Sequence, residues 1–241
     1  MYNILEYGAK GDGVTNDAKA IQSAVDACSQ AGGGVVLFPG GHVYNSGYVI
    51  LKSNVEVHLE MGAVWKASDH LEDYYPLRNN GHITAHESGL PSYLNSEYAG
   101  KPFHAFIYAY QEENICISGR GTIDANEKIF YGDDSGYHIE GSYYPRIPLM
   151  LLEAVNHLTI TGVKLINCAF WTVHLVGCQD VLIDGIRLIN NLKMANSDGI
   201  DPDHCRNVRI SNCHIECGDD AIVLKNSGDY KKYGPCENIV V

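Results

Sequence analysis

An all-β parallel β-helix is predicted for this 241-residue chain by three features. Short runs of β-formers recur with a common pattern, only Gly-, Asn- and Asp-rich stretches separate them, and one amphipathic helix precedes the first. The pattern appears as NVEV (54–57), NICI (114–117), HLTI (157–160), DVLI (180–183), NVRI (207–210) and NIVV (238–241). From His157 to Asp180, Asn207 and Asn238 the successive spacings are 23, 27 and 31 residues. A second strand follows the first in VKLIN (163–167) and IRLIN (186–190). A unit this small has no core of its own and must stack on copies of itself, with insertions leaving at the corners. Short strands at an irregular period favour a β-helix over leucine-rich or propeller repeats. Neighbouring coils then lie about 4.8 Å apart, so residues one coil apart become spatial neighbours.

The helix is expected over about residues 17–30. Thr15, Asn16 and Asp17 offer capping side chains, Ala20, Ile21, Ala24, Val25 and Cys28 recur at helical spacing, and Gly32, Gly33 and Gly34 end it. It reads as a lid on the open end of the stack, where strands present unpaired backbone. Residues 1–48 are assigned to this cap region of a single domain spanning 1–241. Residues 69–106, rich in Tyr, Asn and Gly, are too long for an ordinary connection and read as a loop insertion that shapes a cleft. The sequence stops at Val241 inside a strand run with no closing segment, so further C-terminal coils are expected to be missing.

With 45% hydrophobic and 19% charged residues the chain can bury a sizeable core, which excludes disorder. Its net charge of -12 argues against general nucleic-acid binding, which depends on Lys and Arg. No basic segment followed by an apolar run opens the chain and no run is long enough to span a membrane. A soluble cytoplasmic protein is expected, or an extracellular one if the N-terminus is incomplete. None of the eight cysteines sits in a paired zinc-ligand spacing, and reduced buried thiols are the expected state.

The chemistry concentrates in NSDGIDPDHC (196–205) and CGDDAIVLK (217–225). Aligning coils on their first strands and reading back to the preceding corner makes WTVH (171–174), DGID (198–201) and DAIV (220–223) equivalent. Val173, Ile200 and Ile222 form an inward apolar stack, Asp198 sits over Asp220, and Asp219 stands one residue aside. Like charges at such spacing raise at least one pKa. Inverting glycoside hydrolysis requires such a set, a protonated acid and a carboxylate base about 6.5–9.5 Å apart. Asp219 is read as the acid, with Asp198 and Asp220 activating water together. Asp201 and Asp203 are read as corner residues beside Pro202, where Asx turns serve the backbone, with Asp201 also a candidate to orient a neighbouring group. A calcium site fits less well, since DGIDPD lacks the alternating ligands and distal Glu of an EF-hand loop.

NSDGID (196–201) and GDDAI (218–222) resemble the two aspartate motifs of glycoside hydrolase family 28, the polygalacturonases and related pectin hydrolases. YGAKGDG (7–13) with VVLFPG (35–40) is similar to the N-terminal cap of pectin-degrading β-helices. The resemblance implies a right-handed parallel β-helix that hydrolyses α-1,4 links between galacturonate residues with inversion and without metal or cofactor. Carried over by position, Asp198, Asp219 and Asp220 are the catalytic aspartates, and a pectic oligosaccharide or polysaccharide is the partner. Asn196, Trp171, His174 and Lys225 are candidate substrate contacts: Trp171 as a platform for a sugar ring or a core residue, His174 on the same face, Lys225 as a point charge for a galacturonate carboxylate. His204 either orients a carboxylate or caps the corner. The family's later Gly-His-Gly and Arg-x-Lys motifs have no counterpart before Val241, so weak activity or none is expected of these 241 residues alone. Two other readings carry the same architecture: a calcium-dependent polysaccharide lyase, and a non-catalytic carbohydrate-binding β-helix.

Overall fold

The computed structural model describes residues 1–70, 73–74, 105–137, 139–141 and 146–241, so most of the insertion expected at 69–106 lies outside the described residues. Among the described residues the chain winds through three parallel sheets as a right-handed β-helix. The first sheet holds the recurring runs, in order Tyr2–Asn3, Gly34–Phe38, Val55–Leu59, Glu113–Gly119, Asn156–Thr161, Gln179–Asp184, Arg206–Ser211 and Glu237–Val240. The second is built from Asp12–Asn16, Val43–Ser46, Val64–Ala67, Thr122–Asp124, Lys164–Ile166, Arg187–Ile189 and His214–Glu216. The third, which carries the aspartate motifs, runs Val49–Ile50, Ile107–Tyr110, Met150–Glu153, Val173–Val176 and Ile200–Asp203. A separate antiparallel pair, Tyr131–Asp134 with Ile139–Gly141, branches off between coils.

The residue at the head of each recurring run has a local role. Asn54, Asn114, His157, Asp180, Asn207 and Asn238 all have φ between 53° and 64°. Asn, Asp and His tolerate this left-handed backbone best among residues with a Cβ, because their short polar groups bond locally. Stacked coil on coil, they form a side-chain ladder: Asn114 Nδ2 donates to Asn54 Oδ1 at 2.9 Å, Asn207 Nδ2 to Asp180 Oδ1 at 2.8 Å, and Asn238 Nδ2 to Asn207 Oδ1 at 3.0 Å. The turn they make lets the next residues alternate, with Val55, Ile115, Leu158, Val181 and Val208 all buried in one inward column. Replacing Asn207 by Ala removes both ladder bonds and leaves a methyl-bearing residue in left-handed backbone. The expected loss is about 1–2 kcal/mol of stability in chemical denaturation, and an unchanged midpoint would show that the ladder contributes nothing.

The helix Ala18–Gln30 buries the predicted stripe of Ala20, Ile21, Ala24, Val25 and Cys28 against the first coil. Asn16 Oδ1 accepts from Ala18 N at its start, while the Asp17 carboxylate turns away to receive the amides of Lys10 and Gly11. Gln22 closes the stack: its amide accepts from Ile50 N at 2.8 Å and donates to Ile50 O at 2.9 Å, standing in for the strand that the edge of the third sheet lacks. Beneath it Trp65 is fully buried between Phe38 and Phe106, with ring centroids at 4.8 and 5.1 Å. Its indole N–H donates to Ser46 Oγ at 2.7 Å, so the largest core side chain leaves no buried donor unpaired. The eight cysteines are all free thiols. Among the described residues no helix is long and apolar enough to cross a membrane.

Candidate active site

The third sheet sets the site. Val173 pairs with Ile200 and His174 with Asp201 along its last two strands, and Ile200 pairs onward with Ile222. The inward stack expected of Val173, Ile200 and Ile222 is therefore present. Just before it, Thr172 N donates to Asp198 O at 3.0 Å and Gly199 N to Asp220 O at 2.9 Å. Trp171, Asp198 and Asp220 consequently occupy one column, each on its own coil. Beyond Ile222 the next coil joins the sheet only at Ile222 and Lys225. Pro202 supplies the reason: Ile200 N donates to Ala221 O, the next donor in that rhythm falls at residue 202, and proline has none.

The two aspartate corners are tied to each other through Ser197. Its hydroxyl donates to Met194 O at 2.9 Å and accepts from Gly218 N at 2.9 Å. A Cβ at Gly218 would stand 2.8 Å from that oxygen and 2.5 Å from Met194 O, which is why the second motif opens on glycine. Arg146, buried in the RIPLM run, holds the first corner from below: Nη1 donates to the carbonyls of Ala169 and Ala195, and Nη2 to Asn196 Oδ1 at 2.7 Å. Asn196 thus has its side-chain oxygen engaged by the scaffold, with φ of 56° at the corner.

The three candidate aspartates differ sharply in surroundings. Asp219 and Asp220 are exposed, whereas Asp198 is 3% exposed. Lys225 Nζ lies 3.0 Å from Asp198 Oδ2, 3.3 Å from Asp201 Oδ1 and 4.1 Å from the centre of the Trp171 ring. Burial raises the Asp198 carboxyl above the ordinary range; the charge and hydrogen bond of Lys225 oppose this, and Asp219 adds to it. Asp201 is pushed well above that range, by burial first and then by Asp198. Burial would likewise raise Asp203, but the hydrogen bond and charge of His174 and the donors of Ser227 hold it below the usual value.

Two expectations for this region change. Asp201 and Asp203 are not corner residues: both lie on the strand Ile200–Asp203, where alternation with the inward Ile200 aims them at the outer face of the third sheet, and both are fully buried there. The corners are at Asn196 and His204, each in left-handed backbone, and His204 Nε2 contacts Ser227 O at 3.1 Å. Lys225 is also not a free surface cation, since it is 6% exposed and surrounded by Asp198, Asp201 and Trp171. Trp171 is 4% exposed, stacked on Phe170 at 4.9 Å and capped by that ammonium, so its ring face is covered rather than presented as a platform. His174 does share the outer face of the sheet, but buried, with Nε2 at 3.3 Å from Asp203 Oδ2.

The sequence profile of glycosyl hydrolases family 28 matches residues 53–233. The chain belongs to glycosyl hydrolases family 28. A profile described as rhamnogalacturonase A/epimerase, pectate lyase-like, matches residues 1–62, the cap end. A probable polygalacturonase of Vitis vinifera is 30% identical over 96% of this chain and 45% of its own length. An exo-poly-alpha-D-galacturonosidase of Dickeya chrysanthemi is 24% identical over 99% of this chain and 44% of its own. Among solved structures, the hyperthermoactive exopolygalacturonase of Thermotoga maritima superposes with a TM-score of 0.80 at 26% identity, covering 99% of this chain and 58% of that one. The chain spans about half the length of the curated relatives it matches.

Within this family 28 chain the sequence reading brought Asp198, Asp219 and Asp220 together and missed the groups that hold them. Ser197 stands inside the NSDGID motif, where the aspartates drew the reading, and Arg146 carries no motif of its own. A lone Arg at the head of the apolar run IPLMLL (147–152) was the available signal, because a buried guanidinium needs several acceptors and here finds them in the carbonyls of Ala169 and Ala195 and the side chain of Asn196.

Proposed function

We propose that this chain forms the catalytic half of an enzyme that hydrolyses α-1,4-galacturonosyl links in pectin or oligogalacturonides with inversion. The observation that carries the reading is the coil register: the hydrogen bond from Gly199 N to Asp220 O sets Asp198 and Asp220 side by side, with Asp219 one residue away in an exposed position. In this reading Asp219 gives its proton to the glycosidic oxygen as the bond to C1 breaks. A water held by Asp198 and Asp220 attacks C1 from the opposite face, and its proton passes to that pair. Exposure suits Asp219, which must reach a bond in a polymer. Asp198 suits the other role, because the charge and hydrogen bond of Lys225 favour its ionised form against the upward push of burial.

The test is the stereochemistry of the first product. Proton NMR of α-linked oligogalacturonate treated with the full-length protein is expected to show the β-anomer of the new reducing end before mutarotation. An α-anomer would overturn inversion, and an unsaturated, ultraviolet-absorbing product would overturn hydrolysis in favour of elimination.

A further inference from the structure

Behind the exposed pair, Asp198 belongs to a buried group of charges, one member of which, Asp201, has no part in the hydrolytic roles. Lys225 offers three N–H donors, and three acceptors surround it: Asp198 Oδ2, Asp201 Oδ1 and the face of Trp171. The ammonium makes a hydrogen bond to Asp198, whereas its contact with Asp201 is an ion-pair approach. Both oxygens of Asp201 and Oδ1 of Asp198 are buried and have no hydrogen-bond donor among the described residues. Asp201 is fully buried, and an uncompensated carboxylate there would be costly. One proton between the two carboxyl groups removes both difficulties, because it supplies the missing donor and leaves one carboxylate against one ammonium.

We propose that Asp201 and Lys225 are positioning residues for Asp198: Asp201, carrying the shared proton, donates to Asp198 Oδ1, while Lys225 anchors Asp198 Oδ2. The inference rests on the assignment of Asp198 to water activation. The two bonds fix both oxygens of that carboxylate and so its plane, which decides where a bound water would sit. The directions of titration agree. Burial and Asp198 together push the Asp201 carboxyl well up, and Lys225 works against the upward push on Asp198. The titratable groups facing the pair are Lys225, Asp219 and Cys217 on the following coil, His174 on the preceding strand and Asp203 on its own strand. Of these Asp203 is already engaged by His174 and Ser227, leaving Lys225 as the cation that Asp198 and Asp201 share.

The experiment compares D201A, D201N, K225M and K225R in the full-length protein, with folding checked by thermal denaturation. D201A is expected to lose about 100-fold in kcat with little change in KM. D201N, whose amide can donate to Asp198 as the shared proton does, is expected to keep about tenfold more kcat than D201A. K225M is expected to shift the acid limb of the kcat profile toward higher pH, since Lys225 favours the ionised form of Asp198, and K225R to restore it. The proposal is overturned if D201N and D201A are equally impaired, or if K225M raises KM and leaves the limb in place, the result for a lysine that meets substrate. A readout independent of turnover separates this from failure of the hydrolase reading. In protein labelled with 13C at Asp Cγ, one carboxyl resonance is expected to stay protonated above the ordinary range and to vanish in D201N. Its absence from wild type overturns the shared proton whether or not the protein cleaves pectin.

Discussion

Asp219→Asn is expected to lower kcat on oligogalacturonate by about 1000-fold, within the range by which a positioned general acid speeds a reaction. The corresponding rise in barrier is about 4 kcal/mol. The fold should not suffer, because Asp219 is exposed and its Oδ1 accepts from the adjacent Asp220 N, a bond that an asparagine oxygen can also make. KM should change little, since the lost interaction belongs to the transition state rather than to binding. The decisive comparison uses an aryl galacturonide, whose leaving group departs without protonation. On it D219N should recover most of its rate, whereas D198N and D220N, which impair the attacking water, should not. Equal impairment of D219N on both substrates would remove Asp219 from the acid role while leaving the water-activating pair in question separately.

The register that supports this reading was legible in the sequence because it depends on local rules. Residues that tolerate left-handed backbone head each run, apolar residues alternate after them, and stacking then fixes which residue of one coil lies over which residue of the next. Val173, Ile200 and Ile222 could be aligned on those rules, and Asp198 came to lie over Asp220 as a consequence. The lid was legible for the same reason, since a 3.6-residue stripe is a property of its own segment.

Burial on the outer face was not legible. Alternation from Ile200 shows that Asp201 and Asp203 point outward, but whether outward means solvent depends on what covers the sheet. Here the covering residues come from later in the chain: Lys225 reaches back over Asp198 and Asp201, Tyr230 lies with its ring 6.1 Å from His174, and Ser227 N donates to Asp203 Oδ1 at 3.0 Å. Lys225 shows the difficulty most plainly. A lysine beyond an aspartate pair reads as a free point charge, and only the coil spacing reveals that three acceptors already enclose it. Aspartates in a DGIDPD string likewise read as turn formers until a strand claims them.

Gly199→Ala is expected to damage stability and catalysis together, and the cause is steric contact rather than backbone conformation. A Cβ there would stand 2.3 Å from Ala221 O and 2.9 Å from Ile215 Cγ2. The carbonyl cannot simply turn aside, because it accepts from Ile200 N at 3.1 Å in the bond that holds the next coil to the sheet. The added methyl must therefore push that coil away, with an overpacking cost of about 1–3 kcal/mol. The same movement stretches the 2.9 Å bond from Gly199 N to Asp220 O, the link that keeps Asp198 and Asp220 adjacent. In the proposed mechanism these groups act on one water, and a displacement of about 1 Å between them costs about 100-fold in rate, so kcat should fall by that order even at temperatures where the variant is fully folded. Denaturation midpoints measured beside kcat separate the two effects. A variant that loses stability but retains wild-type kcat would show that the spacing of Asp198 and Asp220 does not limit the reaction, and the cooperative role given to that pair would have to be withdrawn.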